Sequence, residues 1–343
     1  MTLELTDVVY GAKDGLWTQA CFDRREALQE LGAEVLEDAQ THWNRSFIAV
    51  LAKAASVLNR MHGGNFRKEI KELAQLSNTT PGRIIVANML YDFYAGACST
   101  FLQTNAEGVL HARNLDWQCR GDLLRKHTMI LRVHNAPAGD YTSVTWPGLF
   151  GMTTGMAPGR FSVSVNYVRH SLSSMSSLFV CRAASGYVPV TWAVRSVFDH
   201  ACCYHDAVKW LGSAKLLAPV ILVIAGANPG EGCVLERTPT METRRTFNKD
   251  GFPLCATNHY TNPLLLDENC EDLEPLMTDS LARFRALCQL FHHPHLIRPS
   301  QAMQVLSLPS IIVPETQHQV VMRPRDGLMH VQVPGEPLLD ASY

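Results

Sequence analysis

The chain has 343 residues, 46% hydrophobic and 18% charged, with a formal net charge of −2. This is ordinary globular composition, enough for one large domain or two smaller ones. Near-neutrality leaves no basic field for nucleic acid and excludes that class of partner. The longest apolar run, Leu216 to Ala227, is too short to span a bilayer; its Pro219 and β-branched residues read as a buried strand.

The first residues, Met1-Thr2-Leu3-Glu4-Leu5-Thr6-Asp7, lack the basic region and apolar core of a secretory signal, which leans the reading toward an intracellular protein. Residues 17–62 read as helical, with Leu28, Leu31, Val35 and Leu36 at helical spacing. Phe47, Val50, Leu51, Ala54 and Val57 continue that pattern after a break near Thr41-His42-Trp43, and His62-Gly63-Gly64-Asn65 is a stop. Arg67 to Leu76 is a second helix, Ser77 to Gly82 a turn, and Arg83 to Tyr94 a third helix running up to Gly96. From Cys98 the texture changes to short, turn-bounded strands at 99–104, 109–115, 128–134, 141–146, 160–168, 220–226 and 232–237. Helices over Val188–Phe198, His205–Trp210 and Asp279–Leu290 interrupt them. This order suits layered α+β packing around two sheets.

The chemistry concentrates around Cys98. A turn at Asn105-Ala106-Glu107-Gly108 joins the strand after Cys98 to one ending in Ala112-Arg113-Asn114-Leu115-Asp116-Trp117. A hairpin of that order presents a thiol, a cation and a carboxylate together. A cysteine attacks as thiolate. At a chain N-terminus it carries its own base, an α-amine with a reference pKa of about 7.7–8.0. An internal Cys98 acquires that amine only if the chain cuts itself between Ala97 and Cys98; otherwise it reads as a buried structural thiol.

Tyr91-Asp92-Phe93, Cys98-Ser99-Thr100 and Ala112-Arg113-Asn114-Leu115-Asp116 together resemble the acid ceramidase and N-acylethanolamine acid amidase family. Those proteins are N-terminal-nucleophile hydrolases of the choloylglycine hydrolase branch. Gly148 to Ser162, Leu217-Ala218-Pro219-Val220, Gly230-Glu231-Gly232-Cys233-Val234 and Thr257-Asn258 are similar to further blocks of the family in the same order. The resemblance implies a four-layer αββα sandwich. It implies self-cleavage into a retained helical segment, 1–97, and a catalytic core, 98–343. The reaction would be hydrolysis of a fatty N-acyl amide, of ceramide or N-acylethanolamine type, through a Cys98 thioester, with no metal or organic cofactor. Arg113 would stabilise the thiolate or the substrate carbonyl, Asp116 would orient the Cys98 amine, and Asn258 would donate to the oxyanion. Asn166 would donate to the same oxyanion or hold the site's backbone. A lysosomal location rests on the resemblance alone.

The chain departs from the family at Tyr167, where a Glu is expected, and at His259-Tyr260, in place of an aromatic-Asp pair. Asn269-Cys270 stand where paired arginines are expected. Arg283 is a candidate replacement cation but reads as a solvated helix arginine. Acyl transfer through the same thioester, and a non-catalytic binding protein, are the alternatives. The remaining motifs are bland. The ten cysteines have no CxxC pair, His292-His293-Pro294-His295 reads as a solvated loop, and Gly226 to Gly232 lacks the Lys-Ser/Thr of a phosphate loop. Leu149, Phe150, Met152 and Met156 are candidates to line an acyl pocket.

Overall fold

The computed structural model describes residues 3–42, 66–93, 96–118, 122–168, 182, 185–268, 274–291 and 297–343. The helical continuation after Trp43, the stop at His62, the Asn269-Cys270 departure and the His292–His295 run lie outside them.

Two sheets form the centre. The larger has eight strands in the order β1 (Leu5–Val9), β4 (Met129–His134), β5 (Tyr141–Thr145), β6 (Thr154–Ala157), β7 (Phe161–Tyr167), β8 (Val220–Gly226), β9 (Gly232–Arg237), β10 (Glu242–Thr246). The smaller has six, in the order β11 (Leu254–Ala256), β2 (Cys98–Asn105), β3 (Gly108–Asp116), β12 (Thr316–Arg323), β13 (Leu328–Gln332), β14 (Leu339–Asp340). Successive side chains of a strand point to opposite faces, so one strand serves two cores. In β8, Leu222 and Ile224 pack outward with Val194, Phe198 and Leu211. Ile221, Val223 and Ala225 pack inward against Leu102 and Val109 of the other sheet. This two-sided burial explains why the run 220–226 is continuously apolar rather than alternating.

Helices close both outer faces. Against the larger sheet lie α1 (Leu16–Ala20), α3 (Arg67–Leu76), α4 (Pro81–Phe93), α6 (Val190–His200) and α7 (Tyr204–Ser213), which share one cluster with β4, β7 and β8. Against the smaller sheet lie α8 (Glu274–Leu290) and α9 (Pro299–Leu306), through Leu287, Phe291, Met303 and Leu306 on Phe101 and Ala112. The remaining helices are α2 (Arg25–His42) and the short α5 (Leu123–His127). The order of layers is helix, sheet, sheet, helix, as the α+β sandwich expectation requires.

The expected single helix from residue 17 does not form. The chain turns at Phe22–Arg24, between α1 and α2. The turn lets Trp17, Cys21 and Leu28 enter the same core, which a straight helix through Phe22 would prevent. Phe22 is left 67% exposed at the corner.

The N-terminal helices are tied to the rest of the sandwich by buried charge. Arg195 on α6 reaches Glu69 on α3 at 3.2 Å and Asp199 at 3.1 Å. Trp17 Nε1 donates to Glu69 at 2.7 Å, and the Tyr141 hydroxyl donates to Asp199 at 2.8 Å. The arginine side chain is 2% exposed, so removing it strands two carboxylates away from water. Arg195→Ala is expected to cost about 3–5 kcal/mol in denaturant unfolding, the usual penalty for breaking a buried pair. An Arg195→Met, Glu69→Gln double variant should recover part of it; equal stability of Arg195→Ala and wild type would remove this anchor from the account.

Candidate active site

The β2–β3 hairpin is antiparallel, with Cys98 opposite Leu115, Thr100 opposite Arg113 and Asn105 opposite Gly108. Its turn matches the sequence expectation. Asn105 Oδ1 accepts from Glu107 N at 2.7 Å, and Gly108 takes a φ of 114°. A Cβ there would also lie 2.8 Å from the Ala227 carbonyl, so glycine is required twice over. Alternation then sorts the side chains. Leu102, Val109, His111 and Arg113 face the other sheet, while Phe101 and Ala112 face the helices.

Cys98 is buried at the start of β2. Arg113 Nη2 lies 3.1 Å from its sulfur and also reaches the Val165 carbonyl at 3.4 Å. Arg113 Nη1 donates to the Thr153 carbonyl at 3.1 Å and to Thr154 Oγ1. The guanidinium is thus held against β6 and β7, with one nitrogen aimed at the sulfur. That nitrogen is placed to donate to the sulfur, or to a carbonyl oxygen brought beside it.

The bond before Cys98 is held from both sides. Asp116 N donates to the Ala97 carbonyl at 2.9 Å. Cys98 N donates to Asn258 Oδ1 at 2.7 Å. Thr316 Oγ1 donates to one Asp116 carboxylate oxygen at 2.6 Å, and the other oxygen is buried without a partner among the described residues. Burial pushes the Asp116 carboxyl up to about 6, against the opposing pull of Arg283, the Thr316 hydrogen bond and Arg113.

Asn258 follows β11, the edge strand beside β2. Its amide nitrogen donates to the Tyr167 carbonyl at 2.9 Å and the Gly96 carbonyl at 3.4 Å. Its backbone N–H donates to Ser280 Oγ at 2.9 Å, and His259 Nδ1 lies 2.7 Å from the same hydroxyl. Burial pushes His259 down to about 4, so its imidazole is neutral near pH 7 and suits this uncharged network. Asn166 does not touch Cys98 in these contacts. Its Oδ1 accepts from Thr100 at 2.9 Å, and its Nδ2 donates to the carbonyls of Thr257 at 3.0 Å and Ala256 at 3.3 Å. Of the two roles expected for Asn166, these bonds favour holding the backbone that carries Asn258.

Arg283 corrects the sequence reading. It is 3% exposed rather than solvated. It donates to the Cys98 carbonyl at 2.6 Å, to Ser99 Oγ at 2.9 Å and to Asn258 Oδ1 at 3.1 Å. The i,i+4 bond from its Nε to Asp279, at 2.9 Å, orients it. The Asp279-x-x-x-Arg283 spacing was the available signal, but an exposed helix surface uses the same spacing. Only the packing of α8 on β2 and β11 separates the two. Tyr167, where a Glu was expected, is buried, and its carbonyl accepts from Asn258.

An apolar cavity of about 280 Å³ lies beyond Trp117, which follows Asp116. Leu28, Leu31 and Leu36 of α2 and Ile84 of α4 form one wall; Trp117, Trp146 and Leu149 form the other. Of the expected pocket residues only Leu149 lines it. Phe150 and Met152 belong to the outer core and Met156 to the packing between the sheets. Among the described residues no three His, Cys, Asp or Glu side chains are grouped to hold a metal ion, and no helix is long and apolar enough to cross a membrane.

No family profile matches the chain. It is similar to acid ceramidase of Bos taurus, 29% identical over 226 residues, which is 60% of this chain and 56% of that protein. It is similar to the N-acylethanolamine-hydrolyzing acid amidase of Caenorhabditis elegans, 27% identical over 230 residues, 64% of this chain and 63% of that protein. The matched part is therefore under two thirds of the length of these relatives. Among solved structures, a Caenorhabditis elegans N-acylethanolamine-hydrolyzing acid amidase ortholog superposes with a TM-score of 0.54 at 23% identity, covering 66% of this chain and 93% of that one. The two share one fold, the layered α+β sandwich expected from the sequence.

Close packing at the Ala97–Cys98 bond is tested at Gly96. A Cβ there would lie 1.8 Å from the Asp116 carbonyl, a backbone atom at the end of β3. Gly96→Ala in a Cys98→Ala background is expected to cost at least about 1–3 kcal/mol by urea unfolding, as overpacked sites do. An unchanged midpoint would mean that the chain enters β2 by another path.

Proposed function

We propose that the chain is a self-processing amidohydrolase that cleaves fatty N-acyl amides, with Cys98 as the nucleophile of both reactions. The observation that carries this is the 3.1 Å approach of Arg113 to the Cys98 sulfur beside a peptide bond gripped by Asp116 N–H and Asn258. Similarity to ceramide- and N-acylethanolamine-hydrolysing proteins supports the substrate class.

In self-cleavage the Cys98 sulfur attacks the Ala97 carbonyl carbon. The Asp116 N–H stabilises the oxyanion, an arrangement often worth about 2.7–4 kcal/mol per donor. The C–N bond breaks as the C–S bond forms; the Asp116 carboxylic acid gives a proton to the Cys98 nitrogen, which leaves as an amine, and the proton that the thiol gives up restores the carboxylic acid. Water then resolves the thioester to an Ala97 carboxylate and the free thiol. Segment 1–97 stays bound through the Glu69–Arg195 anchor and the shared core.

The freed amine serves as base for the second reaction. It takes the thiol proton, sulfur attacks the substrate acyl carbon, and the protonated amine passes its proton to the leaving amine. Loss of the Gly96 contact releases one hydrogen of the Asn258 amide for the new oxyanion. Arg283 holds the asparagine's orientation by donating to its Oδ1. Water releases the fatty acid from the thioester. The cavity walled by α2, α4 and Trp146 supplies the apolar space for the acyl chain.

The first test is the intact mass of wild type beside Cys98→Ala, followed by a screen of N-acyl ethanolamides and ceramides. Two wild-type fragments split at Ala97–Cys98, an uncut variant and turnover of a fatty amide are expected. A wild-type chain uncut at any pH sinks the mechanism. Cleavage is expected to be fast below about pH 6, where Asp116 is protonated, and to slow above it as the carboxyl ionises. Asp116→Asn should slow cleavage by about 10²–10⁴, the usual range for a lost general acid, and abolish that midpoint.

Gly32 on α2 lines the cavity, and a Cβ there meets nothing within 4 Å. Gly32→Leu should therefore shift the preferred acyl chain to shorter lengths. It should also stabilise the helix by roughly 0.5–1 kcal/mol. An unchanged chain-length profile would place the acyl group elsewhere.

A further inference from the structure

His318 on β12 stands opposite Leu115, which stands opposite Cys98. The three residues form one row across the smaller sheet, with Cys98 and His318 two strand spacings apart, about 9–10 Å between backbones. Arg113 lies two residues along β3 on the same face, in the next row between Thr100 and Val320. The imidazole is fully buried, with its ring 5.4 Å from that of Trp146. Trp146 in turn lines the apolar cavity. His318 thus packs behind the Trp146 wall of the cavity, on the sheet face that carries Cys98.

Neither ring nitrogen of His318 has a hydrogen-bond partner among the described residues, and neither does Arg113 Nε. The contrast with His111 on the neighbouring strand is direct. His111 is equally buried, and both its nitrogens lie 2.9 Å from hydroxyls, those of Ser162 and Ser164. Buried polar groups are rarely left unpaired, because each forfeits its hydration and gains nothing in return. Burial, and then the nearby Arg113 charge, keep the His318 imidazole neutral. A neutral imidazole offers one donor and one acceptor. A hydroxyl matches both at once, a keto oxygen only one, and a methylene neither.

We propose that His318, together with Arg113 Nε, reads a hydroxyl group carried on the acyl chain close to its carbonyl, so that hydroxyacyl amides are the preferred substrates. This rests on the acyl-amidase reading and names its substrate more closely. It also accounts for two unpartnered polar groups on the sheet face that carries the nucleophile.

The test measures binding of the product acids to the wild-type protein, so that it does not depend on turnover. Dodecanoic acid and its α-hydroxy and β-hydroxy derivatives are titrated while tryptophan fluorescence is followed, Trp146 being the neighbouring reporter. One of the hydroxy acids is expected to bind about tenfold more tightly than the plain acid, equivalent to 1.4 kcal/mol. His318→Phe should erase that advantage, and His318→Gln, which keeps a donor and an acceptor, should retain part of it. Equal binding of all three acids to wild type overturns the proposal whether or not the variants fold. An advantage that survives in His318→Phe overturns it too. Hydroxyl preference without turnover of any fatty amide would sink the amidase reading and leave the His318 assignment standing. Turnover of plain and hydroxylated amides alike would do the reverse.

Discussion

The site depends on a strip of buried polar contacts between the two sheets. Thr100 meets Asn166, His111 meets Ser162 and Ser164, and Arg113 meets Thr154, all across the gap to β6 and β7. Apolar packing alone would let the sheets slide, because one methylene serves nearly as well as the next. Hydrogen bonds in low dielectric do not allow this, since a shifted register leaves each partner unpaired. His111 fits only as a neutral ring, and burial pushes it down to about 3. A one-residue slip of β3 against β2 would also move Arg113 to the helix face, beside Phe101. The sulfur, its cation and the gripped peptide bond are fixed together by this one constraint.

A second consequence concerns the N-terminal helices. They cover the larger sheet, far from β2 in that layer, yet they supply one wall of the apolar cavity. Their attachment combines a buried core with a buried charge cluster at Arg195. A chain that cuts itself before Cys98 would lose the covalent link but none of these contacts. The cavity would survive cleavage, and the site would gain an amine without losing that apolar wall.

The hairpin was legible because its signals are local. Asn105 to Gly108 carries a turn's own chemistry, and the flanking runs have strand composition. Strands 220–226 and 232–237 were legible to the residue for the same reason. The β12–β13 hairpin was overlooked, although Pro324-Arg325-Asp326-Gly327 is a turn signal and Gly327 takes a φ of 69°. Its strands carry Gln317, His318 and Gln319, polar residues that mask the alternation, and they are buried only because they cross the site. The edge strand β1 was missed because parallel pairing with β4 leaves no turn to read.

The sequence by itself determined that a thiol, a cation and a carboxylate share one hairpin, since two strands joined by four turn residues bring Cys98, Arg113 and Asp116 together. It also determined the layered α+β class, through the order and periodicity of the elements. Only the tertiary structure decided that Arg283 packs against Cys98, that Asn166 bonds to backbone carbonyls and that His318 is buried without a partner among the described residues. Each of those depends on contacts between segments separated by scores of residues. Local composition carries no information about which distant element will cover a side chain, and coverage is what turns an apparent surface arginine or strand histidine into a buried one.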